Sequence, residues 1–359
     1  MSLFKFGSKS KLGIDIGTAS IKLVELSKES GRFKLENYGL FELKSEDSEQ
    51  SVSDQDIVWG IKEILNRGKI KNRDAVVSIP SFNTFSTVIT MPFLSEEDVA
   101  KTIPYEARKY IPLPLNDVVL DWAIIGINQP NNNKQVVDDK KGSSSGSKTP
   151  TVEVFIVAVP KDQTNRYQTI IKLAGMNLVA LELENTAIIR ALLGNDLSPT
   201  AIINIGGRST SILVVDGGFE RASHNYEIGG FEITKSIARS LNVSLKRAEE
   251  LKRSLGLKNA NSDMITSAMS SLVDLIVSET KKTIHNYEDI KKVNITKVLL
   301  VGGLANMPMF VEYFTQKLNL PIFSGNPLSR VIYSSQLGPI KMELNSDFAI
   351  ALGLAMREV

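Results

Sequence analysis

At 359 residues, 42% hydrophobic and 23% charged, the chain has a globular composition with room for more than one packed unit, which argues against general disorder and membrane embedding. Lys+Arg 42 against Asp+Glu 40 leaves no basic excess of the kind a phosphate-backbone binder carries, so nucleic acid is not indicated. The absence of cysteine excludes thiol nucleophiles, cysteine-based zinc sites and disulfides, and the only histidines, His224 and His285, lie near no Gly-x-Ser-x-Gly turn that would suit a hydrolytic triad.

The opening Met1 to Phe6 is too short for a signal sequence, and no apolar run approaches the ~18 residues of a membrane span, so the chain is expected to stay in the cytosol. Leu3, Phe4 and Phe6 among Lys5, Lys9 and Lys11 read as a frayed terminus rather than a membrane contact. Lys11 to Gly17 and Ser20 to Leu26 alternate around a glycine turn and predict a β-hairpin. A third strand is expected at Phe33 to Leu43. A helix is expected at Asp54 to Arg67, with Ile57, Val58, Ile61, Ile64 and Leu65 at helical spacing and Asp54 at the cap. Ala75 to Pro80 and Thr87 to Met91 read as strands. Ser95 to Asp98 is a capping box for a helix running toward Tyr110, which Pro104 should kink or shorten. Val118 to Ile127 and Val152 to Val159 are strands, with a helix at Lys161 to Ala174. The stretch between those strands, Asn128 to Pro150, is rich in Asn, Ser and Gly and is expected to form a disordered loop. A second strand–turn–strand follows at Ala201 to Asn204 and Ser211 to Val215, with helices at Glu232 to Leu241, Leu245 to Leu255 and Ser262 to Glu288. The stripe Ile265, Met269, Leu272, Ile276 and Ile284 on the last is expected to be core. Lys297 to Val301 is a strand leading through Gly302-Gly303 into a helix ending at Leu318, and Phe348 to Met356 closes the chain as a helix.

The turn Asp15-Ile16-Gly17-Thr18-Ala19-Ser20 has the parts of a phosphate site. Gly17 admits a phosphate close to the backbone, the N–H groups of Thr18, Ala19 and Ser20 can form an anion-binding nest, Asp15 can hold waters of a Mg²⁺ ion, and Lys22 adds a cation. One such turn is weak evidence, because turns use glycine for steric reasons alone. A second one, Asn204-Ile205-Gly206-Gly207-Arg208-Ser209-Thr210, and the later pair Gly302-Gly303 shift the balance toward a polyphosphate held from both sides. No P-loop and no dinucleotide-binding Gly-x-Gly-x-x-Gly is present.

These hairpins and the late glycine pair resemble the phosphate and adenosine motifs of the actin, Hsp70 and sugar-kinase superfamily. The resemblance implies an α/β fold: a two-lobed, actin-like (ribonuclease H-like) ATPase with a small inserted α+β subdomain. It also implies adenosine contacts at Gly229, Gly230, Glu249, Lys252, Arg253, Gly302, Gly303, Leu304 and Met307. The phosphate contacts would be Gly17, Thr18, Ala19, Ser20, Lys22, Gly206, Gly207, Arg208, Ser209 and Thr210, with Asp15 and Asn204 on the metal side through water. On the helix Glu249-Glu250-Leu251-Lys252-Arg253, a carboxylate could reach ribose hydroxyls and a guanidinium could stack on the base, although a solvated charged face has the same spacing.

Met91-Pro92-Phe93-Leu94-Ser95-Glu96-Glu97, Tyr105-Glu106-Ala107 and Tyr110-Ile111-Pro112, together with the first hairpin, resemble the PilM family of type IV pilus assembly factors. That likeness implies a cytoplasmic ATP- and Mg²⁺-binding protein, recruited to the inner face of the inner membrane only through its partner. The partner would be the N-terminal cytoplasmic peptide of a PilN-like inner-membrane protein; a homo-oligomer is left open. It also implies a first lobe of residues 1–83, 184–200 and 340–359, an insertion of 84–183 and a second lobe of 201–339. The superfamily usually has Asp where Asn204 stands; an amide carries no charge and cannot act as a base, so slow or absent hydrolysis is expected. An FtsA-like cytoskeletal role and a sugar-kinase-like phosphotransferase are the alternatives. The latter needs a carboxylate base between the lobes, for which the sequence offers no evident candidate.

Overall fold

A computed structural model of the chain describes residues 10–43, 52–128, 149–258 and 264–358. The expectations for the first residues and for most of the 128–150 loop lie outside the described residues. The chain divides into one unit of residues 1–82 and 165–359 and a second of 83–164.

In the first unit, β1 (Lys11–Ile16), β2 (Ser20–Glu29) and β3 (Arg32–Glu42) form an antiparallel meander. Helix α1 (Asp54–Arg67) follows, capped by Ser53 rather than by Asp54. The Ser53 hydroxyl accepts from Asp56 N–H while the Asp56 carboxylate accepts from Ser53 N–H, a reciprocal box that Asp54, one residue later, cannot close. Strand β4 (Asp74–Ile79) then runs parallel to β1.

The second unit is a three-stranded antiparallel sheet in the order β5 (Phe85–Pro92), β7 (Thr151–Pro160), β6 (Val118–Asn128), with helix α2 (Glu96–Ala107) over one face. Val99, Ile103 and Ala107 pack there on Ile89, Met91, Val152, Val154 and Ile156. Pro104, which has no N–H to donate, sits in the last turn, and the helix ends at Ala107 short of Tyr110.

The helix expected at Lys161 to Ala174 is α3 (Lys161–Leu173), and a strand outside those expectations, β8 (Asn177–Leu183), follows it; residues 165–183, expected in the insertion, belong to the first unit. Tyr167, Ile170 and Ile171 pack with Leu12, Ile14 and Val77, and β8 pairs parallel to β4. Helix α4 (Glu184–Leu192) leads to the second sheet: β9 (Thr200–Ile205), β10 (Thr210–Asp216) and β11 (Phe219–Tyr226), again an antiparallel meander. Then come α5 (Gly230–Leu241), α6 (Leu245–Leu255), α7 (Met264–Lys291), β12 (Lys297–Val301), α8 (Phe310–Leu318) and β13 (Ile322–Ser324). The helix expected straight after Gly303 is split into a 3-10 turn, Gly303–Asn306, and α8. Pro308 cannot donate, Met307 is extended before it, and Met309 turns left-handed at φ 62°. Strand β14 (Val331–Ile332) joins β3, so this part of the expected second lobe completes the first sheet. Helices α9 (Lys341–Asp347) and α10 (Ala349–Ala355) end the described chain.

The two sheets repeat one topology: β3-β2-β1-β4-β8 matches β11-β10-β9-β12-β13 strand for strand, with β14 added to the first. Between them lie α4 and α10, whose Ala187, Ile188, Ala349, Ile350 and Leu354 pack on Val76 of one sheet and on Ile202, Leu213 and Val301 of the other. Glycines permit this closeness. A Cβ on Gly353 would stand 1.9 Å from Ala187 O, and one on Gly13 2.1 Å from Ala351 O. Among the described residues no helix is long and apolar enough to cross a membrane.

Candidate functional site

Both hairpin turns close in the same way. Gly17 N–H donates to Ser20 O at 3.1 Å, and Gly206 N–H donates to Ser209 O at 2.9 Å. A Cβ on either glycine would press on the carbonyl it bonds, at 3.0 and 3.2 Å. The turns abut: a Cβ on Gly207 would lie 2.8 Å from the Ala19 Cβ and 3.2 Å from Thr18 Oγ1. Two backbone turns of one geometry therefore face each other at the carboxyl ends of β1 and β9.

Asp15 lies two residues before Gly17 and is 2% exposed. Ser78, at the end of β4, donates its hydroxyl to Asp15 Oδ1 at 3.0 Å and accepts Ile16 N–H at 3.3 Å. Lys22, opposite Asp15 in the hairpin register, places Nζ 3.6 Å from Oδ2. Asn204 holds the corresponding place before Gly206, paired with Ser211 and Val301. The structure also brings Glu184, at the start of α4, to this group. Ser81 N–H donates to its Oε2 at 3.4 Å, and burial, with Asp15 next in effect, pushes its carboxyl up to about 8 against the pull of Ser81 N–H and Lys22. Sequence reading missed Glu184 because β8 and α4 were not recognised. The clue was the alternation Leu181-Glu182-Leu183-Glu184 followed by a helix-forming run.

Several expected contacts have structural duties. Gly206 O accepts Gly230 N–H at 3.0 Å and Gly207 O accepts Phe231 N–H at 2.8 Å, so the start of α5 is fastened to the second hairpin and those N–H groups are committed. A Cβ on Gly229 would lie 2.6 Å from Gly207 O. The Thr210 hydroxyl donates to Ile228 O at 2.6 Å, while the Arg208 guanidinium stands 5.1 Å from the Phe231 ring centre. Lys252 is buried and donates to Gly230 O and to Thr234 Oγ1, each at 2.9 Å, tying α6 to α5. Its ammonium is 2.6 Å from Glu249, which also accepts from Thr234 at 2.5 Å and from Arg253 Nε at 2.8 Å. Burial would raise the Glu249 carboxyl, but Lys252, Thr234 and Arg253 together hold it at about 2.

Arg253 keeps an exposed guanidinium on the same helix face. Leu304 and Met307 are buried with Ile205, Ile233 and Phe310. Gly302 adopts φ 90°, and a Cβ there would strike Ile205 O at 2.2 Å. Asp347 lies beside Gly303. Burial raises its carboxyl, with Lys22 and Arg253 opposing, and its Oδ1 is buried without a hydrogen-bond partner.

Among the described residues no group of three or more His, Cys, Asp or Glu side chains could hold a metal by itself. The donor set fits Mg²⁺ nonetheless, because Mg²⁺ usually keeps several waters and takes one or two carboxylates together with substrate phosphates. Asp15 and the orphaned Asp347 Oδ1 are acceptors suited to such waters.

The family model for the type IV pilus assembly protein PilM matches residues 13–359. The chain belongs to the PilM family. Its fold is that of the PilM–PilN type IV pilus biogenesis complex, at TM-score 0.79 and 23% identity over 97% of this chain and 98% of that one. It is also like MreB5 of Spiroplasma citri bound to AMPPNP, at TM-score 0.54 and 12% identity over 96% and 94% of the two chains. The PilM-family chain thus has the actin-like fold expected from its hairpins. Cell division protein FtsA of Enterococcus faecalis is 24% identical over 92% of this chain and 84% of FtsA. FtsA of Neisseria meningitidis is 22% identical over 65% of this chain, and the match spans 61% of that protein's length.

Proposed function

We propose that this PilM-family chain binds ATP with Mg²⁺ between its two hairpins and serves type IV pilus assembly by capturing the N-terminal cytoplasmic peptide of a PilN-like inner-membrane protein. The observation that carries the nucleotide reading is the pair of matched turns meeting at Gly207 and Ala19, each at the end of a central strand. Between such turns, the backbone of Gly17, Thr18, Ala19 and Ser20 on one side and of Gly206, Gly207, Arg208 and Ser209 on the other would hold the phosphates, with Lys22 offsetting their charge. Asp15, with Asn204 opposite, would hold waters of the Mg²⁺, which neutralises the polyphosphate when bound. Glu249 and Arg253 would meet the ribose and base beside the Gly302-Gly303 turn, against the apolar floor of Leu304 and Met307.

The partner reading is supported by family membership and by the likeness to a PilM–PilN complex. The protein would then work in the cytoplasm and reach the inner membrane through that partner. Hydrolysis would be slow: Asn204 withholds a charge from the metal, and Glu184, the carboxyl beside Asp15, is pushed up to about 8 and is mostly protonated near neutral pH. An FtsA-like role is the second reading, favoured by the match covering 92% of this chain.

Calorimetry with MgATP tests the first part, and capture from solubilised membranes with and without ATP tests the second. Recovery of a PilN-like protein supports the reading. A folded protein that binds no ATP at any practical concentration removes the nucleotide reading, and recovery of cell-division proteins alone favours the second.

A further inference from the structure

Asp347 ends α9 at a place where a carboxylate is poorly suited, because it meets the negative end of the helix dipole. It does not cap the next helix either: Phe348 holds the N-cap position of α10, and no side chain makes a capping bond there. Its Oδ1 is buried yet accepts no hydrogen bond, the costliest condition for a carboxylate oxygen.

The surroundings of that atom are built from pieces of the proposed nucleotide site. Gly302 N–H donates to Ser346 O at 3.0 Å, and the Asn306 amide bonds the Ser346 hydroxyl, so the glycine turn is stapled to the residue beside Asp347. Gly303 comes next. A Cβ there would sit 3.7 Å from Asp347 Oδ1, in van der Waals contact, and glycine leaves that space open. The charged groups facing the carboxylate are Lys22 of the first hairpin, Arg253 of α6 and Glu343 of its own helix. An acceptor left bare at the meeting point of the phosphate hairpin, the glycine turn and the adenosine helix calls for a donor that arrives with the ligand.

We propose that Asp347 is a ligand-contact residue whose Oδ1 accepts an O–H hydrogen bond from the bound nucleotide, given by a ribose hydroxyl or by a water on its Mg²⁺. This rests on the ATP reading above. A bare phosphate oxygen does not qualify, since it has no hydrogen to give and would add like charge. Both sources offer the same donor, and they part in experiment.

The full chain and its Asp347→Ala and Asp347→Asn variants are titrated calorimetrically with MgATP, with ATP in the presence of a chelator, and with the 2′-deoxy and 3′-deoxy analogues plus Mg²⁺. Asp347→Ala is expected to weaken MgATP about 10-fold or more, the worth of a hydrogen bond to a charged group. The melting temperature of the nucleotide-free protein should hold or rise, because burial and the bare Oδ1 outweigh what Ser346, Lys22 and Arg253 give the carboxylate. If a ribose hydroxyl is the donor, the loss disappears with the analogue that lacks it; if metal-bound water is, it disappears with chelator.

Unchanged MgATP affinity, an equal loss in every arm, or a fall in the melting temperature of the nucleotide-free variant would each overturn the proposal. Asp347→Asn keeps the volume and answers the same question if the alanine variant does not fold. A wild-type protein that binds no ATP would defeat the parent reading and this one with it. Failure of this inference alone shows instead as equal binding by wild type and variant.

Discussion

Glu249 carries the clearest pH signature at the residue scale. With Lys252, Thr234 and Arg253 holding its carboxyl at about 2, below the ordinary glutamate value, it contributes stability that is complete above about pH 4.5 and is lost as pH falls toward about 2. Glu249→Gln should therefore lower the melting temperature at pH 7, and the gap from wild type should close on acidification across that window. A gap that stays constant with pH would show that the charge is not what stabilises α6 against α5. Asn204 has a different use. If it stands on the metal side, Asn204→Asp restores a charge beside Mg²⁺ and should strengthen the metal dependence of ATP binding, while Asp15→Ala should weaken it. Magnesium titrations at fixed ATP read both. Opposite signs are expected, and equal, small effects would make Asn204 a turn residue. Both positions could be picked out from the sequence, since each precedes a glycine turn by two residues. For Glu184 the alternating run could mark only the end of a strand, because its nearness to Asp15 depends on β8 joining the sheet beside β4.

At the scale of elements, the crossing of α4 and α10 holds the two sheets together. Gly353 has no room for a side chain, with Ala187 O 1.9 Å from where a Cβ would stand, and Arg190 Nη1 bonds Gly353 O at 2.8 Å across the same contact. Gly353→Ala should force the helices apart and cost about 1–3 kcal/mol or more, as overpacking of a close-packed core does. Chemical denaturation would show a lower midpoint. An unchanged midpoint would mean that α10 shifts without penalty. The hairpin contact predicts an effect of another kind: Gly207→Val would push on Ala19 and Thr18 and spread the two turns, so ATP affinity should fall at least about 10-fold, worth about 1.4 kcal/mol. Calorimetry against a melting curve separates loss of the site from loss of the fold.

For the whole molecule, a ligand gripped from both repeated sheets should stabilise the first unit as one body. At about 100 times Kd, MgATP should add about 2.7 kcal/mol to folding, seen as a higher melting temperature that keeps rising with ATP concentration. Adenosine without phosphates should do less, because it engages only the α6 side. A melting temperature insensitive to MgATP would contradict binding to the folded state. The repeat explains why such a ligand acts on both halves: each sheet presents the end of its first strand, β1 or β9, with the same turn and the same glycine closure.

Much of this architecture follows from local chemistry. Alternation and helical spacing marked most strands and helices, and Gly17 and Gly206 marked the turns, because those constraints act between residues close in the chain. Pairings made over long separations lay beyond such reasoning. Strand β14 reaches back to β3, β8 completes the first sheet rather than the inserted unit, and Thr210, Lys252 and the Gly230 and Phe231 amides are committed to internal bonds. The positions of Glu184 and Asp347 arose in the same way. A carboxylate's chemistry depends on its burial and on the charges facing it, and for these two residues the neighbours, Asp15 and Lys22, come from more than 150 positions away in the chain and meet them only once both sheets are packed against α4 and α10.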